Sequence, residues 1–353
     1  MFAFKNFISL LRSLLVLFCL HKVQSFLFDS LNCHSTSRLQ GEKSKEDTRI
    51  ISIGDLHGKI ESLVEILDHL GIAVYRYNSS SNIKCSWNDS NTSTRRTVII
   101  QTGDIVDRGE NSNLIFDCLE SLQSSSSVVQ HVKRNEVIRL LGNHELLWLS
   151  GDTVYKHPLD TKEKVEKLVK KLIDGILSGN IKGAHYIESF AGMKLLFSHA
   201  GLRNEMIQTF NNFSSDPFLA RDAAEMINRV LVESCQSNSL LCNFKHPIFS
   251  IGKDRGGTQI GGSFWTDFSV LQEDALLSTS KSRIDFIQVV GHTMGKKMRY
   301  SRGLSSICID LAMYTGLNGV GYLEINPTGR IIEWISKEKR IWKARDLTSE
   351  ICD

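Results

Sequence analysis

Val98-Ile99-Ile100-Gln101-Thr102-Gly103-Asp104-Ile105-Val106-Asp107-Arg108-Gly109 runs from β-branched apolar residues straight into two carboxylates and an arginine held between glycines. An apolar run of this kind reads as a buried strand. The pattern recurs four times. Ile50-Ile51-Ser52-Ile53 leads into Gly54-Asp55-Leu56-His57-Gly58, and Val137-Ile138-Arg139-Leu140-Leu141 leads into Gly142-Asn143-His144-Glu145. Leu195-Leu196-Phe197-Ser198 leads into His199-Ala200-Gly201, and Phe286-Ile287-Gln288-Val289-Val290 leads into Gly291-His292-Thr293. Ligands in open α/β sheets gather at the carboxyl ends of strands. Two aspartates, three histidines and an asparagine at five such ends describe a pocket for two metal ions. Asp55 and His57 are two residues apart, so in an extended segment both leave one face and reach one ion.

In this order, residues 54–58, 103–109 and 142–145 resemble the first three motifs of the calcineurin-like metallophosphoesterases, phosphoprotein phosphatase type. His199-Ala200-Gly201 resembles the fourth, with alanine where eukaryotic members usually carry a second glycine, and Gly291-His292-Thr293 supplies the last histidine. Leu141 stands where typical members have an arginine, and Cys308-Ile309-Asp310-Leu311-Ala312-Met313 replaces their Ser-Ala-Pro-Asn-Tyr stretch. Both departures resemble the Shewanella-like protein phosphatases. The resemblance covers residues 49–334.

What the resemblance implies is an α/β fold: an αββα sandwich of two mixed sheets flanked by helices, with metals at one sheet edge. It implies a first ion held by Asp55, His57 and Asp104, and a second held by Asp104, Asn143, His199 and His292. Imidazole and carboxylate ligands suit Mn, Fe or Zn, manganese being the choice in vitro, and the lack of cysteine at these positions argues against structural zinc. Two such ions about 3.5–4 Å apart form a bridging hydroxide and clamp the phosphoryl oxygens, and attack is in line. His144 is the implied general acid, with Asp107 orienting it; an unperturbed histidine titrates near working pH. Arg108 would grip the phosphate with its two-pronged guanidinium, with Asn143 beside it. Arg255, in Lys253-Asp254-Arg255-Gly256-Gly257, is the candidate second phosphate-binding arginine, though a glycine-flanked arginine also serves to order a surface turn. Phe264-Trp265-Thr266-Asp267 resembles a groove-lining segment, with core packing of Trp265 as the plainer reading. Arg203 is a further substrate-side candidate. Glu145 reads as structural, supporting its loop.

Alone, each piece has a bland reading: a tight turn, a helix cap, a strand-end histidine. In order, each after a strand, they point to hydrolysis of phosphate monoesters, first of all phosphoserine and phosphothreonine in proteins. Two other enzyme readings stay open. The missing arginine before Gly142 leaves room for a small substrate such as a diadenosine polyphosphate. Some Shewanella-like relatives prefer phosphotyrosine. A scaffold with a dead site would have lost a ligand or His144, and neither is lost.

At 353 residues the chain suits one large core with insertions. Its net charge of +3 is small and its basic residues are dispersed without interleaved aromatics, which excludes a nucleic-acid partner. The expected partner is a phosphorylated protein substrate. Lys5 and Arg12 precede the apolar run Leu14-Leu15-Val16-Leu17-Phe18-Cys19-Leu20, and Val23 and Ser25 suit cleavage after Ser25. Residues 1–25 therefore read as a signal peptide, too short to span a bilayer. Membrane association would come only through an uncleaved N-terminus, with Arg12 inside it. The secretory pathway is expected, in the endoplasmic reticulum lumen or a compartment reached from it. Four Asn-x-Ser/Thr sites, at Asn78, Asn88, Asn91 and Asn212, point the same way. Of eight cysteines, Cys19 leaves with the signal, Cys235 and Cys242 are close enough for a local disulfide, and Cys118 reads as a buried thiol.

Residues 26–47 read as a polar linker, 48–340 as the catalytic domain with an insertion at 75–97, and 341–353 as a tail. Ile60, Leu63, Val64, Leu67 and Leu70 follow helical spacing, and Gly71 is a stop. Residues 78–96 are rich in Ser, Asn and Thr and read as a flexible insertion. Leu114, Ile115, Cys118, Leu119 and Leu122 mark a second helix; Val165, Leu168, Val169, Leu172, Ile173 and Ile176 mark a long amphipathic one; residues 221–232 look helical. Late strands end at Ile325 and span residues 331–334.

Overall fold

The computed structural model describes residues 48–76, 83–87, 96–125, 135–210, 217–236, 241–258, 260–277, 284–337 and 341–348. The expected signal peptide, the linker, Cys19 and all four glycosylation sites lie outside the described residues. The strands are β1 (Thr48–Ile53), β2 (Ala73–Arg76), β3 (Ile83–Ser86), β4 (Arg96–Gln101), β5 (Glu136–Leu140), β6 (Ile181–Lys182), β7 (Ala184–Phe190), β8 (Met193–Ser198), β9 (Ile287–Val290), β10 (Arg299–Tyr300), β11 (Ser306–Cys308), β12 (Val320–Ile325), β13 (Ile331–Ser336) and β14 (Trp342–Asp346). The helices are α1 (Ile60–His69), α2 (Ser112–Ser124), α3 (Asn143–Leu149), α4 (Lys162–Leu177), α5 (Asn204–Phe210), α6 (Ala220–Cys235) and α7 (Phe268–Leu277).

Two mixed sheets carry the fold. One has the order β14-β13-β12-β1-β4-β5-β6 and the other β10-β11-β9-β8-β7. In the first, β1, β4, β5 and β6 are parallel neighbours. In the second, β8, β9 and β11 are. Parallel strands buried on both faces demand continuous apolar runs, which is why Ile50, Ile51, Ile53, Val98, Ile99, Ile100, Leu195, Leu196 and Phe197 are all buried. Register places Ile53 beside Gln101 and Phe197 beside Val289, so within each sheet the carboxyl ends line up.

Helices cover the sheets as the αββα expectation requires. α1 packs on β12 and the β2–β3 hairpin, α2 on β3 and β5, α6 on β7 and β8, and α7 on β11. α1 buries Ile60, Leu63, Ile66 and Leu67 along one stripe, and Gly71 takes the left-handed φ of +75° that ends the helix. The amphipathic α4 turns its apolar stripe onto α6 and β6, within its own domain. No described helix is long and apolar enough to cross a membrane.

Three readings need correction. Within residues 78–96, expected to be flexible, Ile83–Ser86 is a strand paired to Ala73–Arg76. A Cys85–Cys118 disulfide ties it to α2, and Trp87 Nε1 donates to Leu122 O. Cys118 is thus bonded, not a free thiol; its partner lies 33 residues away in a segment whose polarity hid it. The expected tail from 341 contains β14, which pairs with β13 and stacks Trp342 on His69 at 4.2 Å. Lys343 and Arg345 give this edge strand the charged look that edge strands use against aggregation, and that look disguised it. Cys235 and Cys242 form the expected local disulfide, and Cys308 is a buried free thiol.

Candidate metal centre and phosphate rim

The loops that leave β1, β4, β5, β8 and β9 meet in one pocket. Asp55, His57, Asp104, Asn143, His199 and His292 are each less than 10 % exposed. The backbone is bent to bring them there: His57, Asp104, Asp107, Arg108 and His292 have φ between 42° and 69°. They make up five of the eight left-handed non-glycine residues among those described. Each such residue costs about 1 kcal/mol or more, and such strain clusters at functional sites. Two glycines make room. A Cβ on Gly142 would lie 2.1 Å from Asp104 Oδ1, and one on Gly291 would lie 2.3 Å from Asp55 Oδ1.

Hydrogen bonds fix which ring nitrogens face inward. His57 Nδ1 donates to Val106 O and His199 Nδ1 donates to Thr102 O, both at 2.9 Å. Their Nε2 atoms therefore present lone pairs, the outer-shell arrangement that orients metal-ligating histidines. His199 Nε2 lies 2.8 Å from Asn143 Oδ1, 3.1 Å from His292 Nδ1 and 3.5 Å from Asp104 Oδ2. His57 Nε2 faces the same Asp104 oxygen at 3.5 Å. Lone pairs thus converge on two points that share Asp104. His292 Nε2 is buried without a hydrogen-bond partner among the described residues. A cation is the group that fits such a donor set, since ligand atoms about 2.0–2.2 Å from one ion lie roughly 3 Å from each other.

Electrostatics agree. Burial pushes His57 down to about 3 and His199 and His292 below the usual histidine value, so the rings are neutral and able to ligate. Burial also pushes Asp104 up, but the charge that His199, His144 and His57 carry when protonated outweighs it and holds the carboxyl below the ordinary range. Burial, then Asp310 and Asp104, drives Asp55 well above it. Ligand-type atoms cluster as His57, Asp104 and His144, and as Asp104, His199 and His292. His144 is better placed outside the first set, because its nitrogens are engaged by Asp107 and Arg108. Asp55 accepts the His292 backbone N–H at 3.1 Å, which holds its carboxylate against the pocket.

His144 Nδ1 lies 2.5 Å from Asp107 Oδ2, and Asp107 Oδ1 accepts from Trp148 Nε1 at 2.7 Å. Burial pulls His144 down, yet Asp104 and Asp107 outweigh it and hold it above its usual value. Trp148 went unread in the sequence, although it lies one helical turn after His144 on α3 and so shares its face. Glu145 accepts backbone N–H groups of Gly142, Asp104, Ile105 and Val106 at 2.7–3.1 Å, which locks two ligand loops together.

At the mouth, Arg108 is exposed, 3.2 Å from His144 Nε2 and 4.7 Å above the Tyr314 ring. Arg255 Nη2 pairs with Asp267 at 2.7 Å and reaches Thr293 Oγ1 at 3.3 Å. Its charge acts on His199 and His292, so it faces the second ligand set as well as ordering its turn. Trp265 sits 6.2 Å from the His292 ring and, with Arg203, Lys253 and Asp267, lines an adjoining cavity of about 380 Å³. It also packs against the core, as the plainer reading had it. Arg203 is turned to Asp274, 3.6 Å away. Tyr155 meets His144 edge-on at 5.5 Å and Tyr314 meets His57 at 5.1 Å. Neither tyrosine had a sequence signal beyond nearness to a motif.

Comparison with known proteins gives the same frame. The model of the calcineurin-like phosphoesterase family matches residues 48–303. A protein of Schizosaccharomyces pombe is 31 % identical over 171 residues, 46 % of each chain. Shewanella-like protein phosphatase 1 of Plasmodium berghei is 32 % identical over 136 residues, 38 % of this chain and 33 % of the relative. This chain therefore matches less than half the length of either relative. Among solved structures, the cold-active protein-tyrosine phosphatase of a psychrophilic Shewanella superposes with a TM-score of 0.54 at 16 % identity, covering 89 % of this chain and 87 % of that one. At that identity the likeness shows the fold.

Proposed function

Because the chain belongs to the calcineurin-like phosphoesterase family, whose members depend on two metal ions, we propose that it is a protein phosphatase that hydrolyses phosphoserine and phosphothreonine. The observation that carries the reading is the lone-pair convergence at Asp104, His199, Asn143 and His292, with Arg108 and His144 standing over it. Asp55, His57 and Asp104 would hold one ion, and Asp104, Asn143, His199 and His292 the other. Manganese, iron or zinc suits these ligands, and manganese is the ion to supply in vitro. When bound, the ions supply the nucleophilic water and offset phosphoryl charge.

The chain's own groups do the rest. Arg108 binds two phosphoryl oxygens, and Arg255, steadied by Asp267, adds a second guanidinium to the phosphate. With Arg108 turned from His144 Nε2 to the phosphate, Nε2 carries the proton that goes to the leaving oxygen while Asp107 holds Nδ1. Tyr155 and Tyr314 form aromatic walls beside Arg108 and His144, and this favours a second reading, selectivity for phosphotyrosine. Disulfides at Cys85–Cys118 and Cys235–Cys242 support residence in an oxidising compartment of the secretory pathway.

The test is turnover of a phosphothreonine peptide, a phosphotyrosine peptide and diadenosine tetraphosphate with Mn, beside an Asp104→Asn control. Phosphothreonine turnover that disappears in the control is expected. Turnover of the nucleotide alone would overturn the protein-phosphatase reading.

A further inference from the structure

Five strands deliver ligand-type residues to the pocket, and a sixth reaches the same edge. β11 runs parallel to β9 with Cys308 opposite Val290. His292 lies two residues past the end of β9, and Asp310 lies two residues past the end of β11. Ile309 N–H donates to Val290 O, which extends the pairing just past β11, and Gly295 N–H donates to Asp310 O, which ties the two segments together beyond it. Asp310 thus occupies on its strand the place that His292 occupies on the neighbour.

Its side chain is 1 % exposed. Oδ1 accepts the Ala312 N–H at 2.7 Å, while Oδ2 is buried with no hydrogen-bond partner among the described residues. Its segment packs against the first ligand loop: a Cβ on Gly54 would lie 2.9 Å from Ile309 O and 3.3 Å from the Asp310 Cα. The charge of Asp310 opposes that of Asp55 and of Asp104. The cations whose field reaches it are Arg108, exposed at the mouth, and Arg299, whose Nη2 donates to Thr293 O. A carboxylate kept ionised in such burial, with a free oxygen and in the field of two others, needs a positive partner, because an uncompensated buried charge costs several kcal/mol.

We propose that Asp310 is an outer carboxylate of the first metal centre, steadying the ion held by Asp55, His57 and Asp104 through a bound water. This rests on the two-ion reading above. Outer carboxylates of this kind set metal affinity, and their loss costs about 10–100-fold.

The chelator-stripped full chain and its Asp310→Asn variant would be titrated with Mn²⁺ by calorimetry, and their melting measured with and without Mn²⁺. In the variant, one of two sites should weaken about 10–100-fold while the other keeps its affinity. The metal-free variant should melt no lower than the metal-free wild type, since a like-charge contact has gone, and its gain on adding Mn²⁺ should shrink. A purely structural Asp310 would instead lower the metal-free melting point and leave both affinities alone, and that result overturns the proposal. Asp310→Ser, which keeps an acceptor for the Ala312 N–H, repeats the comparison should the asparagine variant not fold. Fewer than two equivalents in the wild type would sink the two-ion reading itself.

Discussion

The floor of the pocket and its rim are built by different means. On the floor, Asp104, Asn143, His199 and His292 are buried, follow strand ends directly, and are fixed by backbone carbonyls, glycine contacts and Glu145. At the rim, Arg108, Arg255, Tyr155 and Tyr314 come from loops and short turns and are half-buried or exposed, with Arg108 leaning on Tyr314 and Arg255 on Asp267. The floor cannot shift without breaking a sheet edge. The rim can change its residues while the floor stays. Metal chemistry should therefore be robust to loop variation, and substrate choice sensitive to it.

The largest effect is expected at the shared floor residue. Asp104→Asn should lower kcat more than about 10³-fold, equal to roughly 4 kcal/mol of barrier, with loss of bound metal. A variant retaining wild-type kcat would erase the distinction between floor and rim. His144→Asn should follow at about 10²–10⁴-fold in kcat, with metal content unchanged because the ring lies outside the ligand set. Arg108→Ala should lower kcat/KM about 10²-fold, and Arg108→Lys should recover little of it, since a point charge does not copy a two-pronged contact. Equal metal loss in Arg108→Ala would show the rim to be part of the floor.

Asp107→Asn tests the join between the two. Asp104 and Asp107 hold His144 above its usual value against burial. As a general acid His144 works while protonated, so kcat falls as pH rises through its pKa. Removing the Asp107 charge lowers that pKa and should move the alkaline limb of the kcat–pH profile to lower pH. A limb that stays put would remove His144 from the proton-donor role. The smallest effect on rate is expected from Cys118→Ser. It opens a crosslink spanning 33 residues and should cost about 2–4 kcal/mol of stability by denaturant melting, with kcat unchanged.

The floor was legible in the sequence because parallel strands buried on both faces must read as unbroken apolar runs, and each ligand follows its run within a few residues. The sandwich of two mixed sheets followed from the family resemblance that the motifs carry, since apolar runs alone give strands and not their division into two sheets. The rim was less legible. Arg255 was found next to a glycine pair, but its Asp267 partner is twelve residues away. Tyr155 and Tyr314 carry no periodic signal. β3, β14 and the Cys85–Cys118 bond were hidden by polar or charged neighbours, because edge strands and a hairpin lying on a helix bury only part of each residue.

Metal content measured directly decides the floor. Elemental analysis of the full chain after Mn²⁺ loading and desalting, beside Asp104→Asn, is expected to give two equivalents in the wild type and at most one in the variant. One equivalent or none in the wild type, or two in the variant, would contradict a centre built around Asp104.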